Sequence, residues 1–335
     1  MLEFLAVLFP LSNLWVRRDL MIVFFLLSAH SLLLTVTAQT TEALDTIRVD
    51  TDLVNLSVSV INRKAVSGAS HLEQADFAVF DNGSPQQISF FASVDAAFDL
   101  VLLLDLSGST SDKIGLIRKS AKRFVDAARP NDRIAILTFT SDIQVVSKLT
   151  SDHDALKKSI DDIEKPFGGT NFWDALRFVL EHIVGQSRIE NRRSAVVVMT
   201  DGVDNALPGV AGEGSTTSFE DLLQIVQRSD TIVLPIYLDT EKEKHELNTL
   251  KDAYALARQQ LAMLADESGN VIYRARTVKD LEGVYQQVMR DLGTVYSIGY
   301  RPENLVREGS WRAVTVQLIG HSELAVRARH GYYAK

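Results

Sequence analysis

Apolar and polar residues follow two different rhythms along the chain. In residues 47–94, and again after Gly293, apolar residues occupy every second position, which is typical of strands with one buried face. In residues 98–292, continuous apolar runs alternate with segments in which apolar residues recur every three or four positions. This rhythm predicts strands buried on both faces and separated by amphipathic helices. We therefore predict an α/β fold with a doubly wound, mainly parallel sheet flanked by helices.

The continuous apolar runs predict the strands of this sheet. One run contains Pro235, which predicts an edge strand or a bulge at that position. The short segment 143–146 is also predicted to lie at an edge. Ser218 and Asp221 have the spacing of a capping box and predict the start of a helix. The predicted buried strands cover residues 100–104, 134–139, 195–199, 232–238 and 271–273.

The two flanks with alternating residues predict a small accessory β module. Asp81-Asn82-Gly83 is a hairpin signal between two alternating segments. The N-terminal unit, of about 50 residues, is near the lower size limit for independent stability. Because strands are predicted at both ends of the α/β unit, we expect the two flanks to pack together. The predicted domains are an N-terminal β segment at 39–96, the α/β domain at 97–292 and a C-terminal β segment at 293–335.

The N-terminal residues have the pattern of an export signal. Arg17 and Arg18 precede an apolar run, and small residues follow it up to Ala38. We predict a signal peptide at 1–38 that is cleaved after Ala38. The alternative is an uncleaved membrane anchor, because the run approaches the roughly 18 residues that a span needs. Both interpretations place the protein outside the cytoplasm, in the periplasm or the extracellular space.

Composition excludes several classes of site. The chain has 335 residues, 46% of them hydrophobic, and a net charge of -8, which argues against nucleic acid or an anionic membrane surface as the main partner. It has no cysteine, which excludes disulfides, thiolate metal sites and a cysteine nucleophile. Membrane contact is expected only if the N-terminal segment stays uncleaved.

Three polar loops follow the predicted strands or their neighbours. Asp105, Ser107 and Ser109 follow the first buried strand, Thr170 ends a Gly-Gly-Thr loop, and Asp201 lies in Thr-Asp-Gly after strand 195–199. In open α/β sheets, ligands bind beyond the carboxyl ends of the strands, where these loops are expected to meet. Two carboxylates and three hydroxyls form an oxygen-only set suited to Mg²⁺, Mn²⁺ or Ca²⁺. Hydroxyl ligands add no negative charge, so we expect such a metal to accept an Asp or Glu carboxylate of a partner protein.

Each of these residues also has a structural interpretation. The serines and the threonine are common helix caps, and an aspartate before glycine is a common turn residue. Their occurrence together at one sheet edge favours the metal site. Asp204 is interpreted either as a residue that supports the metal ligands or as a solvated loop acid. Trp173 either borders the partner-binding surface or packs in the core.

The three loops resemble those of the von Willebrand factor type A domain. The D-x-S-x-S run, the G-G-T loop and the T-D-G turn match the metal-ion-dependent adhesion site of that family at Asp105, Ser107, Ser109, Thr170 and Asp201. The resemblance covers residues 98–292. It implies a doubly wound sheet, a divalent metal at these five positions and a role in protein binding or adhesion.

The flanks resemble a family of exported bacterial proteins that is common in acidobacteria and is named for its type A-related domain. The segments that carry this resemblance are DFAVFDNGSPQQISFF in the N-terminal flank and YSIGYRPEN to ARHGYYA in the C-terminal flank.

Three functions compete at this point. The first is metal-dependent protein binding, with no enzymatic activity and with the long loop 203–217 as the specificity element. The second is a metal-dependent hydrolase or phosphatase, because the first loop is similar to the phosphatase pattern D-x-D-x-T; Ser107, however, stands where that pattern has its acid. The third is a structural envelope protein with a vestigial site. We also expect His153, His182 and His245 at the surface, and Arg327 and Arg329 on the solvated face of a strand.

Overall fold

A computed structural model describes residues 53–62, 72–108, 113–164, 168–184, 192–240 and 250–334. The predicted signal peptide or anchor at 1–38, the candidate ligand Ser109 and the surface prediction for His245 lie outside these residues. Within the described part of the chain, no helix combines the length and the apolar character needed to cross a membrane.

Strands and helices follow one another in the predicted order. The strands are β1 (Val54–Asn62), β2 (Phe77–Asp81), β3 (Ser84–Gln86), β4 (Ile88–Ala92), β5 (Phe98–Asp105), β6 (Arg133–Phe139), β7 (Ile143–Thr150), β8 (Arg193–Thr200), β9 (Ile232–Leu238), β10 (Tyr273–Ala275), β11 (Val295–Tyr300), β12 (Trp311–Leu318), β13 (Leu324–Arg327) and β14 (Gly331–Tyr333). The helices are α1 (Ile114–Ala127), α2 (His153–Asp161), α3 (Phe172–Phe178), α4 (Phe219–Arg228), α5 (Lys251–Glu267) and α6 (Leu281–Leu292). A π-helical turn, Val179–Val184, continues α3, and short 3-10 turns cover Gln74–Asp76 and Val278–Asp280.

The central sheet has the strand order β10-β9-β8-β5-β6-β7. Its neighbouring strands are parallel except β7, which pairs antiparallel with β6 at the edge. The chain runs from β5 to β6 on one side and later returns to place β8 on the other side. The direction in which successive strands are added therefore reverses between β5 and β8. Open α/β sheets form their ligand sites at such a point. The predicted doubly wound α/β fold and the edge position of residues 143–146 are confirmed.

Alternate residues of β5 show why this strand is apolar on both faces. Leu102 and its neighbours two residues away pack in a core that includes α1, α2 and α6. Leu103 packs on the opposite face, in a core that includes α3, α4 and α5. The start of α4 follows the predicted cap, since the Ser218 hydroxyl accepts a hydrogen bond from the Asp221 amide at 3.1 Å.

The flanking strands form two further sheets, with the orders β13-β1-β11-β4 and β14-β12-β2-β3. Strands of the two flanks pair, β1 with β11 and β2 with β12. The predicted hairpin is present, because Asp81 lies opposite Ser84 and the turn residues Asn82 and Gly83 have positive φ angles of 47° and 82°. Its return segment divides into β3 and β4, and β4 joins the other sheet beside β11. The exact domain boundaries stay a prediction.

The accessory sheets contact the central sheet at the amino ends of its strands. Arg193, at the start of β8, donates hydrogen bonds to the carbonyls of Val94 at 2.9 Å, Ala96 and Val295. Its guanidinium lies 4.2 Å from the ring centroid of Phe98. Burial, followed by the charge of Arg129, lowers the pKa of Arg193 to about 10, so it stays charged at neutral pH. This contact is at the opposite end of the sheet from the carboxyl ends of β5 and β8.

Two predictions about single residues are wrong. Pro235 lies in β9, which pairs with β8 on one side and β10 on the other and is not an edge strand. Pairing with β10 begins only at Ile236, so the residue that lacks an N–H precedes that ladder. Arg329 is buried instead of solvated, because it pairs with Asp230 at 2.9 Å and donates to the carbonyl of Asn55 at 2.7 Å.

The remaining surface predictions are partly confirmed. His182 is exposed, whereas His153 and Arg327 are half-buried.

Candidate metal centre

Asp105 is the last residue of β5, and its side chain is 0% exposed. One carboxylate oxygen accepts a hydrogen bond from the Thr200 hydroxyl at 2.6 Å, and the other accepts one from the Ser107 amide at 2.9 Å. The first contact follows from the register of the parallel strands, in which Leu104 lies opposite Met199. The two next residues, Asp105 and Thr200, therefore come side by side where the strands end.

Asp201 is held in the same way in the following loop. One of its oxygens accepts a hydrogen bond from the Thr240 hydroxyl at 2.7 Å, and the other accepts one from the Val203 amide at 3.2 Å. Thr240 lies just beyond the carboxyl end of β9 and is 2% exposed. Its hydroxyl is 3.2 Å from the hydroxyl of Tyr254 on α5. Each carboxylate thus has one threonine donor and one amide donor, which fixes its orientation.

The two carboxylates influence each other electrostatically. Burial, followed by the negative charge of Asp201, raises the pKa of Asp105 to about 7. A neighbouring cation would reverse this shift, because it favours the ionised form. Paired buried carboxylates at the end of a sheet are therefore a suitable environment for a cation.

The turn after Asp201 requires glycine. Gly202 has a φ angle of 75°, a conformation that L-residues rarely adopt. A Cβ atom at this position would lie 2.8 Å from Cδ1 of Leu261 on α5. The close approach of the turn to α5 keeps Asp201 at the sheet edge.

The predicted hydroxyl ligands lie in the neighbouring loops. Ser107 is 3% exposed, and its amide hydrogen bond holds it next to the Asp105 carboxylate. Thr170 is 6% exposed, and Asn205 contacts both its amide and its carbonyl, at 3.1 and 2.9 Å. Its hydroxyl has no hydrogen-bond partner among the described residues. Asn205 belongs to the loop that follows Asp201, so the second and third loops are joined at this point.

The side chains of Asp204 and Trp173 are both buried. Asp204 is 0% exposed, so its interpretation as a solvated loop acid is wrong. Trp173 is 7% exposed, and its ring packs against Phe219 at a centroid distance of 6.0 Å. Its placement on the rim of a partner surface is therefore wrong, because the first turn of α3 directs it into the core. Asp204 accepts a hydrogen bond from the Trp173 amide at 3.0 Å and thereby supports this turn.

Sequence reasoning missed three residues of this site: Thr200, Thr240 and Asn205. Thr200 ends a buried strand and Thr240 follows one. This position at the carboxyl end of a strand is the one sequence feature that could have indicated their role. Asn205 gives no signal beyond its closeness to Asp201 in the chain.

The donor set fits a hard divalent cation. The candidate ligands within the described residues are carboxylates and hydroxyls, which Mg²⁺ and Mn²⁺ accept. No group of three or more histidine, aspartate or glutamate side chains suited to a metal occurs in that part of the chain. The site therefore combines two carboxylates with neutral oxygens, in contrast to centres built from three or more acidic or imidazole ligands.

The fold and this site define a doubly wound α/β domain with an oxygen-rich site where the strand order reverses. The profile of the von Willebrand factor type A domain family matches residues 99–287, which is more than half of the chain. The chain belongs to this family.

The following three proteins are distantly similar to this chain. An uncharacterised protein of Borreliella burgdorferi is 27% identical over 122 residues, which are 34% of this chain and 35% of that protein. Proximal thread matrix protein 1 of the mussel byssus is 16% identical, with a TM-score of 0.47, and the match covers 63% of this chain and 50% of that one. A von Willebrand factor type A protein of Catenulispora acidiphila is 11% identical, with a TM-score of 0.46, and the match covers 86% and 64% of the two chains. This chain thus matches about a third of the length of the Borreliella protein.

Proposed function

We propose that this chain binds a divalent cation and uses it to capture an acidic group of a partner protein. The observation that carries this proposal is the pair of buried carboxylates, Asp105 and Asp201, each oriented by a threonine hydroxyl at 2.6 or 2.7 Å. The cation is Mg²⁺, with Mn²⁺ and Ca²⁺ as substitutes. Membership of the type A family supports the role in protein binding.

The residues of the site divide into ligands and supports. Asp105, Ser107, Ser109, Thr170 and Asp201 would hold the cation, which when bound supplies a Lewis-acidic position for a carboxylate oxygen of the partner. Thr200 and Thr240 keep the two acids oriented and take no part in binding the partner. Because the hydroxyl ligands are neutral, a partner carboxylate adds favourable charge interaction that an amide cannot supply.

We propose that the partner is a protein with an exposed Asp or Glu, and that the site is not catalytic. The protein acts in the periplasm or outside the cell, as the N-terminal export pattern indicates. The loop 203–217 borders the site and contributes to the choice of partner. Nucleic acid is not expected to bind, given the net charge of -8.

Thermal unfolding tests the metal part of the proposal. We expect Mg²⁺ or Mn²⁺ to raise the unfolding midpoint relative to EDTA, because a ligand that binds only the native state stabilises it, by about 2.7 kcal/mol at one hundred times its Kd. Asp105→Ala and Asp201→Ala should abolish the shift. Asp152→Ala is the matched control: Asp152 caps α2 by accepting from the Asp154 and Ala155 amides, so its loss lowers stability but leaves the metal shift intact. A wild-type midpoint that no divalent ion changes would contradict metal binding.

A peptide array tests the partner part. Peptides with a central Asp or Glu should bind in Mn²⁺ and lose binding in EDTA, and the matching Asn or Gln peptides should not bind in either. Equal binding of acidic and amide peptides would contradict capture through a carboxylate while leaving metal binding intact.

A further inference from the structure

Asn205 contacts Thr170 at both backbone groups of that residue. The Asn205 side-chain oxygen accepts a hydrogen bond from the Thr170 amide at 3.1 Å, and the Asn205 amide donates to the Thr170 carbonyl at 2.9 Å. A single residue therefore fixes the backbone on each side of the Thr170 Cα. This restricts the direction in which the Thr170 hydroxyl points, since the hydroxyl moves with the Cα–Cβ bond.

The Asn205 side chain is enclosed by two glycines. A Cβ atom added to Gly169 would lie 2.4 Å from Nδ2 of Asn205, and one added to Gly212 would lie 2.5 Å from the same atom. Such distances do not occur between real atoms, so a larger residue at either position must displace the Asn205 amide. The loops that carry Thr170 and Asn205 can approach each other because these residues are glycines.

Asp204 anchors the backbone next to Asn205. Its buried carboxylate accepts four hydrogen bonds: from the amides of Trp173 at 3.0 Å, Ala206 at 2.8 Å and Ser215 at 3.0 Å, and from the Ser215 hydroxyl at 2.6 Å. These donors lie on the first turn of α3 and on both sides of the loop 203–217. Asp204 thus fixes the position of Asn205 relative to the helix that begins just after Thr170.

We propose that Asn205 is a positioning residue for the metal ligand Thr170 and that Asp204 anchors it. The loop 203–217 then has two kinds of residue. Residues 203–207, Gly212 and Ser215 pack around the candidate metal site, whereas Pro208, Gly209, Ala211 and Glu213 are exposed. The inference rests on the proposed metal binding, and it assigns to this loop a role in metal affinity in addition to partner choice. Asn205 acts through the Thr170 hydroxyl, so the effect of Asn205 on metal affinity must disappear when that hydroxyl is removed.

A double-mutant cycle on the full chain tests this. Mn²⁺ affinity is measured by electron paramagnetic resonance for the wild type, Asn205→Ala, Thr170→Ala and the double variant. Residues that orient a metal ligand typically contribute 10- to 100-fold in affinity, so we expect Asn205→Ala to weaken Mn²⁺ binding about tenfold. The double variant should bind no more weakly than Thr170→Ala alone, because the two residues act as one unit.

Two further variants separate positioning from general loosening of the loop. Ser218 caps α4 directly after this loop by accepting a hydrogen bond from the Asp221 amide at 3.1 Å. Ser218→Ala should therefore lower the unfolding midpoint in EDTA and leave Mn²⁺ affinity within about twofold of wild type, because Ser218 shares no hydrogen-bond partner with Asp204 or Asn205 among the described residues. Gly169→Ala leaves Asn205 in the sequence but displaces its amide, so it should weaken Mn²⁺ binding as Asn205→Ala does. This variant also keeps the test decisive if Asn205→Ala fails to fold.

The outcomes are distinct. Unchanged Mn²⁺ affinity in Asn205→Ala and Gly169→Ala, or fully additive losses with Thr170→Ala, would overturn the positioning role while metal binding stands. Equal weakening in Ser218→Ala would show that local stability alone sets the affinity, which also overturns it. If the wild type fails to bind Mn²⁺, the proposed function and this inference both fall.

Discussion

Thr240 gives a sharp test of how the acidic ligands are oriented. Its hydroxyl donates to Asp201 at 2.7 Å, and the carboxylate and the hydroxyl are both buried. Thr240→Val keeps the shape of the side chain and removes the donor. A hydrogen bond to a charged group contributes about 1.5–3 kcal/mol, so we expect the metal-free protein to lose about 2 kcal/mol. In a domain of this size that lowers the midpoint by about 4–8 °C.

Metal affinity should fall as well. Loss of an orienting contact costs roughly tenfold, which is about 1.4 kcal/mol of the stabilisation that Mn²⁺ provides. The assay is thermal unfolding in EDTA and in Mn²⁺, with Kd from a Mn²⁺ titration. Thr240→Ser keeps a hydroxyl and should restore both properties. Tyr285→Phe is the matched control, because the buried Tyr285 hydroxyl has no hydrogen-bond partner in the described part of the chain. If Thr240→Val unfolds and binds Mn²⁺ as the wild type does, the orienting role of Thr240 is refuted.

Three further predictions follow from the same geometry. Because burial and Asp201 raise the pKa of Asp105 to about 7, above that of the unfolded chain, the folded protein holds this proton more tightly. In EDTA, the wild type should therefore gain stability relative to Asp105→Asn as the pH falls from 8 to 5. Urea titrations at several pH values measure this, and the opposite trend would refute it. The Mn²⁺ affinity of the wild type should fall over the same pH range. Arg193→Met leaves buried carbonyls without donors and should lower the free energy of unfolding in urea by about 3 kcal/mol. Mn²⁺ affinity should stay unchanged, because Arg193 lies at the other end of the sheet. A weakened Mn²⁺ affinity would contradict that separation. Replacing the exposed residues Pro208, Ala211 and Glu213 by glycine should alter peptide selectivity on the array and keep the Mn²⁺ shift. Loss of that shift would show that the exposed part of the loop supports the metal site.

The sequence predicts those parts of the structure that depend on local pattern. A strand buried on both faces must be apolar at every position, so the runs around Leu102 and Val197 predict the sheet directly. The polar residues that end these strands, Asp105 and Asp201, are then placed at one edge by the direction of parallel strands. These steps need no knowledge of distant contacts.

Other features depend on contacts between distant parts of the chain. The alternating pattern near Phe90 predicts a strand but cannot tell which sheet it joins, and β4 pairs with β11, more than 200 residues later. Arg329 is buried because Asp230 and the Asn55 carbonyl lie next to it in the fold. Thr240 reaches the candidate metal site from a loop that carries no motif, and Asn205 lies outside the Thr-Asp-Gly motif of its own loop. Such residues become identifiable only when the loops are seen together.

The central claim is that a divalent cation binds among Asp105, Asp201 and Thr170. A crystal of the protein soaked in Mn²⁺ and measured for anomalous scattering tests it most directly. We predict a strong peak in contact, directly or through water, with oxygens of these three residues and absent from an Asp105→Ala crystal. A wild-type crystal without a peak at this position, or with its strongest peak elsewhere on the protein, would contradict the account.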